Sequence, residues 1–199
     1  MKEKFSHPLY KTQHSDWISE AVELLGKKGV SHVNISTLSK KLKTTKGSFY
    51  WHFKSKKELL TEVLDTFEQR STIRILETVE KNETAIDKLK ALFRLTFAQT
   101  KPEIYLELAI RDWARHDPSV FKRCKRIDQI RIQYCEKLLE EAGIDNPKNR
   151  AFGAYAFVVG SNLVPEFLTD DYTEASIQIM QLITSGQLSK KDRYLWNQS

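Results

Sequence analysis

Residues 44–60 read TTKGSFYWHFKSKKELL, and this stretch decides the fold of the first third of the chain. Five ring side chains stand in a row from Phe49 to Phe53, lysines lie on both sides, and the first acid is Glu58. On a helix, Phe49 and Phe53 fall on one face because side chains four positions apart lie on the same side. The pattern therefore predicts that these two rings are buried and anchor a short helix.

The other positions of that helix then point outward, and none is acidic: Lys46, Gly47, Ser48, Tyr50, Trp51 and His52. Such a surface suits a DNA groove, because lysines neutralise phosphates and hydroxyl or imidazole groups donate hydrogen bonds. Ring faces can also pack on thymine methyl groups. Glycine costs a helix about 1 kcal/mol relative to alanine. Gly47 is therefore explained either by a close approach of the helix backbone to DNA or by a loose first turn.

The flanking sequence supplies the neighbours of this helix. Asn34 can cap a preceding short helix that contains Leu38 and Leu42, and Ser55 can cap a following one that runs towards residue 80. An earlier helix starts after Asp16 with helical apolar spacing. Two short helices joined by a tight turn, the second of them presenting hydrogen-bond donors, predict a helix-turn-helix.

The net charge of +6 is concentrated in the same part of the chain. Residues 1–60 hold twelve lysines and five acids, whereas the other 139 residues hold 20 basic and 21 acidic groups. A basic module on a neutral body indicates a polyanion partner, with nucleic acid ahead of membrane. A merely solvated basic face is the alternative that composition leaves open.

Helical spacing continues through the rest of the chain. We expect further helices over 85–100, 104–115, 118–143, 147–168 and 173–186, which makes an all-α fold of about nine helices. The start of the chain lacks a secretory signal, and its longest apolar stretch is too short to span a bilayer, so we expect a cytoplasmic protein. Cys124 and Cys135 lie eleven residues apart on one predicted helix, beyond disulfide reach, and should be reduced thiols.

The stretch 45–53, followed by Ser55-Lys56 and Glu58-Leu59-Leu60, resembles the signature of the TetR family of bacterial transcriptional regulators. The resemblance is close over residues 15–65, and residues 113–118 with Asp128 and Arg131 are similar to the body of many such regulators. Two departures stand out. Lys43 occupies a turn position that is usually glycine, and Lys57 replaces a common acid.

The resemblance implies a helix-turn-helix DNA-binding domain over 11–71 with its motif at 34–53, an effector-binding and dimerisation domain over 72–188, and a tail over 189–199. It places Ser36 and Thr37 on phosphate, and Lys56 on phosphate at a helix N-terminus. Lys54 and Lys57 are either additional phosphate contacts or solvated. The implied DNA-binding residues are Ser36, Thr37, Thr45, Lys46, Gly47, Ser48, Tyr50, Trp51, His52 and Lys56.

For the body, the resemblance implies an effector pocket and a homodimer. Pocket candidates are Phe93, Phe97, Tyr105, Leu108, Trp113, Tyr134 and Phe157, each of which could equally be plain core. Dimer candidates are Gly153, Ala156, Gly160, Ile179 and Ile183, with intrachain packing as the alternative. Glu107 and Arg111, four apart, could form a buried ion pair, contact a polar ligand or form a surface pair.

These observations predict a homodimeric DNA-binding transcriptional regulator, a repressor released from a palindromic operator by a small-molecule effector. The alternative is an architectural or partner-binding protein that uses the same DNA-binding head without effector gating. The sequence shows no glycine-rich phosphate loop, metal-ligand cluster or nucleophile motif. We therefore expect no enzymatic activity, no cofactor, no metal and no membrane partner.

Overall fold

The computed structural model describes residues 12–164 together with Gln178, Gln181 and Leu182. Within these residues all regular structure is helical, which confirms the all-α prediction. The predicted last helix over 173–186 lies mostly outside the described residues, as do Ile179, Ile183 and the tail over 189–199. No helix in the described part of the chain is both long enough and apolar enough to cross a bilayer.

Four helices and one short 3-10 turn, Val30–His32, build the head: α1 His14–Lys28, α2 Ile35–Lys41, α3 Lys46–His52 and α4 Lys56–Glu68. The predicted caps are confirmed. Asn34 Oδ1 accepts a hydrogen bond from the Thr37 amide at 3.0 Å, and Ser55 Oγ accepts one from the Glu58 amide at 3.2 Å. Each cap satisfies an amide that the first turn of a helix leaves unpaired.

The turn between α2 and α3 contains one residue with a left-handed backbone conformation. Lys43 has φ of 51°, a conformation that glycine adopts without strain and that costs other residues about 1 kcal/mol or more. The following amide, of Thr44, donates to the Ser39 carbonyl at 2.9 Å. The turn therefore keeps the geometry that a glycine would give, although the residue is lysine.

The body is formed by α5 Arg74–Val79, α6 Ala85–Phe97, α7 Lys101–Ala114, α8 Pro118–Glu141 and α9 Pro147–Asn162. A π-helical turn, Gln69–Ile73, joins α4 to α5 without a break. Residues 56–79 thus form one continuous rod, called the linking rod below, which ends close to the predicted residue 80. Helix α9 ends at Asn162 and not near residue 168, so that predicted boundary was wrong.

Two apolar clusters hold these helices together. The first joins the head to the body, because Trp17, Phe49 and Phe53 share it with Leu106 and Ile110 of α7. The second lies between α6, α8 and α9. Helix α1 approaches α7 so closely that a Cβ added at Gly26 would lie 3.4 Å from the Leu106 backbone. The head therefore packs directly on α7, and a shift of that helix would be felt at α1.

Candidate DNA-binding surface and ligand cavity

Helix α3 is anchored by the two phenylalanines that its spacing predicted to be buried. Phe49 and Phe53 are almost fully buried and stack with ring centroids 5.2 Å apart. Trp17 of α1 meets Phe49 edge-on at 5.3 Å. These contacts fix the rotation of α3 about its axis and so determine which residues it presents to solvent.

The outer face of α3 carries large exposed rings. Trp51 is 89% exposed and Tyr50 is 60% exposed. Lys46 and Gly47 are exposed as well, and Ser48 is half-buried. Thr45 is exposed, but its Oγ1 accepts a hydrogen bond from the Ser48 amide at 3.1 Å and caps the helix. Aromatic side chains this exposed on a short, acid-free helix are typical of a binding surface.

His52 differs from the outward position predicted for it. It is half-buried, and its Nε2 lies 3.0 Å from the Thr12 carbonyl oxygen, to which it donates. Its ring also meets His14 edge-on at 6.0 Å. His52 sits at the last turn of α3, where the segment before α1 passes, and this contact turns the ring away from the exposed face.

Most lysines around α3 form no ion pair within the described part of the chain. Lys41 of α2 forms an ion pair with Glu20 of α1. By contrast, five lysines form no ion pair with any residue that the structure describes: Lys43, Lys46, Lys54, Lys56 and Lys57. Lys56 is the first residue of α4, where the helix dipole favours an anion. At the start of α2, Ser36 is exposed and Thr37 is half-buried. The surface thus keeps its positive charge available to a phosphate backbone.

A cavity lies in the body, open to solvent, with about 670 Å³ of space that no atom occupies when its opening is counted. Its walls are mainly apolar, from the linking rod and from α6, α8 and α9: Ile75, Leu76, Leu92, Phe93, Cys135, Ala151, Ala154 and Val158. Polar side chains border the rest: Ser71, Thr72, Thr96, Gln99, Glu107, Arg131, Tyr155 and Asn162.

One end of the cavity is a network of charged groups, called the polar network below: Glu107, Arg111, Asp128, Arg131 and Tyr155. Glu107 Oε1 accepts from Arg111 Nη2 at 2.8 Å and from Arg131 Nη1 at 2.9 Å. Arg111 Nη2 also donates to Asp128 at 2.9 Å and to the Tyr155 hydroxyl at 2.8 Å. Glu107 and Arg111 therefore form a buried ion pair and not a surface pair, and Glu107 also borders the cavity.

The polar network keeps Glu107 and its two arginines ionised at neutral pH. Burial raises the pKa of Glu107, but the charges of Arg131 and Arg111 outweigh it, so the pKa of this carboxyl lies below its usual value. Burial opposes the charged form of both arginines too, yet their acidic partners raise the pKa of each. Burial raises the pKa of Tyr155 to about 12 and that of the Cys135 thiol to about 12.

The seven predicted pocket aromatics and aliphatics are not gathered at this cavity. Phe93 lines it, and Phe97 stacks on Phe93 at 6.3 Å and meets Phe157 at 5.9 Å. The others lie elsewhere: Tyr105 and Leu108 border a shallow groove beside α1, Trp113 packs against the first apolar cluster, and Tyr134 donates to Glu80 at 2.8 Å.

Of the polar lining, sequence spacing indicated only Glu107 as a possible contact to a polar ligand. Arg131 and Asp128, three residues apart, carry only a similarity to known regulator bodies in the sequence. Thr72 is a buried polar residue in an otherwise amphipathic helix, which was the available signal.

The described dimer candidates Gly153, Ala156 and Gly160 are all exposed, and Phe152 beside them is 63% exposed.

Residues 18–63 match a known family, the bacterial regulatory proteins of the tetR family. No curated protein matches the chain at a significant level. Among solved structures, a transcriptional regulator from Rhodococcus sp. Rha1 is similar, with a TM-score of 0.73, 18% identity and coverage of 88% of this chain and 97% of that one.

Two further similar structures contain small molecules. A transcriptional regulator from Saccharomonospora viridis in complex with choline has a TM-score of 0.70 and 17% identity, over 86% of this chain and 93% of that one. The regulator FadR from Bacillus subtilis in complex with stearoyl-CoA has a TM-score of 0.65 and 19% identity, over 88% and 100%. Residues 18–63 are thus a TetR-family helix-turn-helix domain, in a chain that has the fold of TetR-family transcriptional regulators.

Proposed function

We propose that the chain is a homodimeric repressor that acts on DNA in the bacterial cytoplasm and leaves its operator when a small molecule enters the body cavity. One observation supports this proposal more strongly than any other. The linking rod begins at Lys56, beside α3, and the same rod supplies Ser71, Thr72 and Ile75 to the wall of the cavity. A ligand in the cavity therefore touches the helix that begins at the DNA-binding surface.

Helix α8 holds the linking rod at two places. Arg131 donates to Thr72 Oγ1 at 3.0 Å and to Ser71 Oγ at 2.9 Å. About two turns earlier on α8, Arg123 donates to Glu68 Oε2 at 2.9 Å. A ligand that displaces α8 or the π-helical turn would shift the rod and with it the head. Coupling of this kind is worth roughly 1–3 kcal/mol in typical allosteric proteins.

DNA binding rests on the surface around α3. The exposed Tyr50 and Trp51 offer ring faces and a hydroxyl to base edges, while Lys46 and Lys56 sit where phosphates would neutralise them. Two copies would read two half-sites of a palindrome, since a two-fold dimer matches a two-fold operator. The exposed small residues of α9 support a close helix contact between the copies.

Fluorescence anisotropy with labelled DNA from upstream of the gene tests the DNA-binding proposal. We expect Lys46→Ala and Tyr50→Ala each to weaken binding about tenfold or more, and Lys46→Ala to reduce the salt slope by about one. Lys137→Ala, which removes the same charge from an exposed site on the body, should leave affinity unchanged.

The alternative architectural role predicts a different result in the same assay. Binding would be independent of DNA sequence, with a steep salt slope and no response to any small molecule. Wild-type affinity in both Lys46→Ala and Tyr50→Ala would overturn the assignment of α3 as the DNA-reading helix.

A further inference from the structure

The polar network at the end of the cavity is electrically neutral and internally satisfied. Its two arginines and two carboxylates cancel in formal charge. All three nitrogens of Arg111 donate hydrogen bonds to Glu107, Asp128 or Tyr155. All three nitrogens of Arg131 also donate, to Glu107 and Tyr155 and to the linking rod. Every guanidinium nitrogen is therefore already engaged within the protein, which leaves little donor capacity for a ligand anion.

One oxygen of Glu107 is the exception. Its three arginine hydrogen bonds all go to Oε1, and Oε2 accepts none from the described residues. In the described part of the chain, the fully enclosed side-chain polar atoms that lack a hydrogen-bond partner belong to Trp17 and Ser39. Glu107 Oε2 is not among them although it lacks a partner, so it is not fully enclosed. Glu107 is itself almost completely buried.

Glu107 lines the large cavity, and we infer that its unpaired Oε2 is the atom that faces it. Glu107 borders a second, smaller cavity as well, beside Phe67 and Ile110, but that cavity exposes no polar atom. The open space next to Oε2 therefore belongs to the large cavity, whose remaining walls are mainly apolar. A buried carboxylate oxygen with open lone pairs accepts a hydrogen bond strongly.

We propose that the cavity binds a neutral amphiphile, an apolar chain whose terminal hydroxyl donates a hydrogen bond to Glu107 Oε2. This inference deepens the proposed function and rests on it for its regulatory meaning. The apolar walls take the chain, and Oε2, the acceptor that carries a charge, takes the donor. A hydroxyl adds no charge to a network that is already balanced.

Charged ligands of the same length fit less well. A carboxylate would place a second negative charge beside Glu107 and would find both arginines occupied, so it would lose its hydration without replacement. An ammonium could donate to Oε2, but it would add a net positive charge next to two guanidinium groups. An ether lacks the donor and would leave Oε2 unpaired.

Titration calorimetry on the full-length wild-type protein tests the proposal with four ten-carbon probes, kept below their micelle concentrations at neutral pH. We expect 1-decanol to bind about tenfold or more tightly than decyl methyl ether, decanoate or decylammonium, because a hydrogen bond to a charged group contributes about that much. Equal or tighter binding of any of the other three, or no binding of 1-decanol, would overturn the proposal.

Two variants assign the preference to one atom. In Glu107→Gln the preference of 1-decanol over the ether should fall severalfold, since the acceptor loses its charge. Tyr155→Phe perturbs the same network but keeps Oε2, so it should retain the preference. A retained preference in Glu107→Gln contradicts the proposal. If that variant fails to fold, the wild-type comparison of alcohol and ether still decides.

A parallel anisotropy titration separates this inference from the proposed function. Binding of 1-decanol without release of DNA would contradict the effector role and leave the ligand class standing. Release of DNA by decanoate or decylammonium, but not by 1-decanol, would contradict the ligand class and leave the effector role standing.

Discussion

Arg131 of α8 donates a hydrogen bond from Nε to Thr72 Oγ1, 3.0 Å away in the π-helical turn of the linking rod. The turn is therefore tied to the cavity wall by a buried, charge-assisted bond. π-Helical turns inside longer helices are frequent at functional sites. Here the turn lies between the DNA-binding head and the cavity, where a change in either could act on the other.

Thr72→Val tests the hydrogen bond between Arg131 and Thr72. Valine keeps the shape of threonine and removes the acceptor, so we expect a loss of about 1–2 kcal/mol in the free energy of unfolding, measured by urea denaturation. DNA affinity without ligand should stay within about twofold, whereas the ligand-induced loss of affinity should shrink severalfold. Thr78→Val, at an exposed position of α5, is the matched control and should change neither. An unaltered ligand response in Thr72→Val would contradict the coupling.

Gly47→Ala separates the two interpretations of that glycine. A Cβ there would have Thr45 Oγ1 at 3.5 Å as its nearest neighbour, an ordinary contact. Alanine should therefore stabilise the fold by about 0.5–1 kcal/mol, seen as a higher melting temperature. If the helix backbone lies close to DNA, the same variant should bind operator DNA about tenfold more weakly. Stabilisation with unchanged DNA affinity would favour the loose first turn.

Glu107→Gln should lower the free energy of unfolding by about 3 kcal/mol at neutral pH, because it leaves two buried arginines short of a counter-charge. The pKa of Glu107 is lower in the folded state than its ordinary 4.5, so the carboxylate stabilises the fold above that value. This stabilisation is lost as the pH falls through the folded-state pKa. The difference between wild type and variant should therefore narrow in acid.

Urea denaturation of both proteins between neutral pH and about pH 3 measures that difference. If the difference in free energy of unfolding between the two proteins stays constant over this pH range, the ionised carboxylate does not stabilise the fold as proposed. Lys137→Ala, far along α8 from the polar network, provides the baseline for general acid destabilisation.

Ala156→Arg tests the proposed dimer. Gly153, Ala156 and Gly160 recur at helical spacing on α9, and their short side chains would let a partner helix approach. An arginine in that contact should produce monomers in sedimentation velocity and weaken operator binding, because a single head reads a single half-site. Lys148→Glu, an exposed charge change on the same helix, should remain dimeric. A dimeric Ala156→Arg would place the interface elsewhere.

The head could be predicted in detail because its determinants are local. Asn34 and Ser55 cap helices through amides only three residues away, and the four-residue spacing of Phe49 and Phe53 sets the inner face of α3. Even there the outward position predicted for His52 was wrong, since its hydrogen-bond partner, Thr12, lies forty residues away in sequence. Local patterns determine a helix face but not which distant segment passes over it.

The cavity could not be predicted in this way. Aromatic residues at helical spacing indicate core, yet Tyr105 is 43% exposed while its neighbours Leu106 and Glu107 are buried. Sequence spacing left the burial of Glu107 open, because its ion-pair partners are Arg111 on its own helix and Arg131 on α8. Arg131 reaches Glu107 only after α8 has packed, and Tyr155 of α9 joins the network by donating to Asp128.

The shared apolar cluster of the head and α7 has a consequence for how the protein unfolds. Phe49 and Leu106 lie in one continuous core, so melting α7 removes the support on which α1 and α3 rest. We expect the described helices of head and body to unfold in a single cooperative transition. Any compound that stabilises the body against heat would then protect α3 equally, and a fragment cut within the linking rod would expose the α7-facing side of α1 to water.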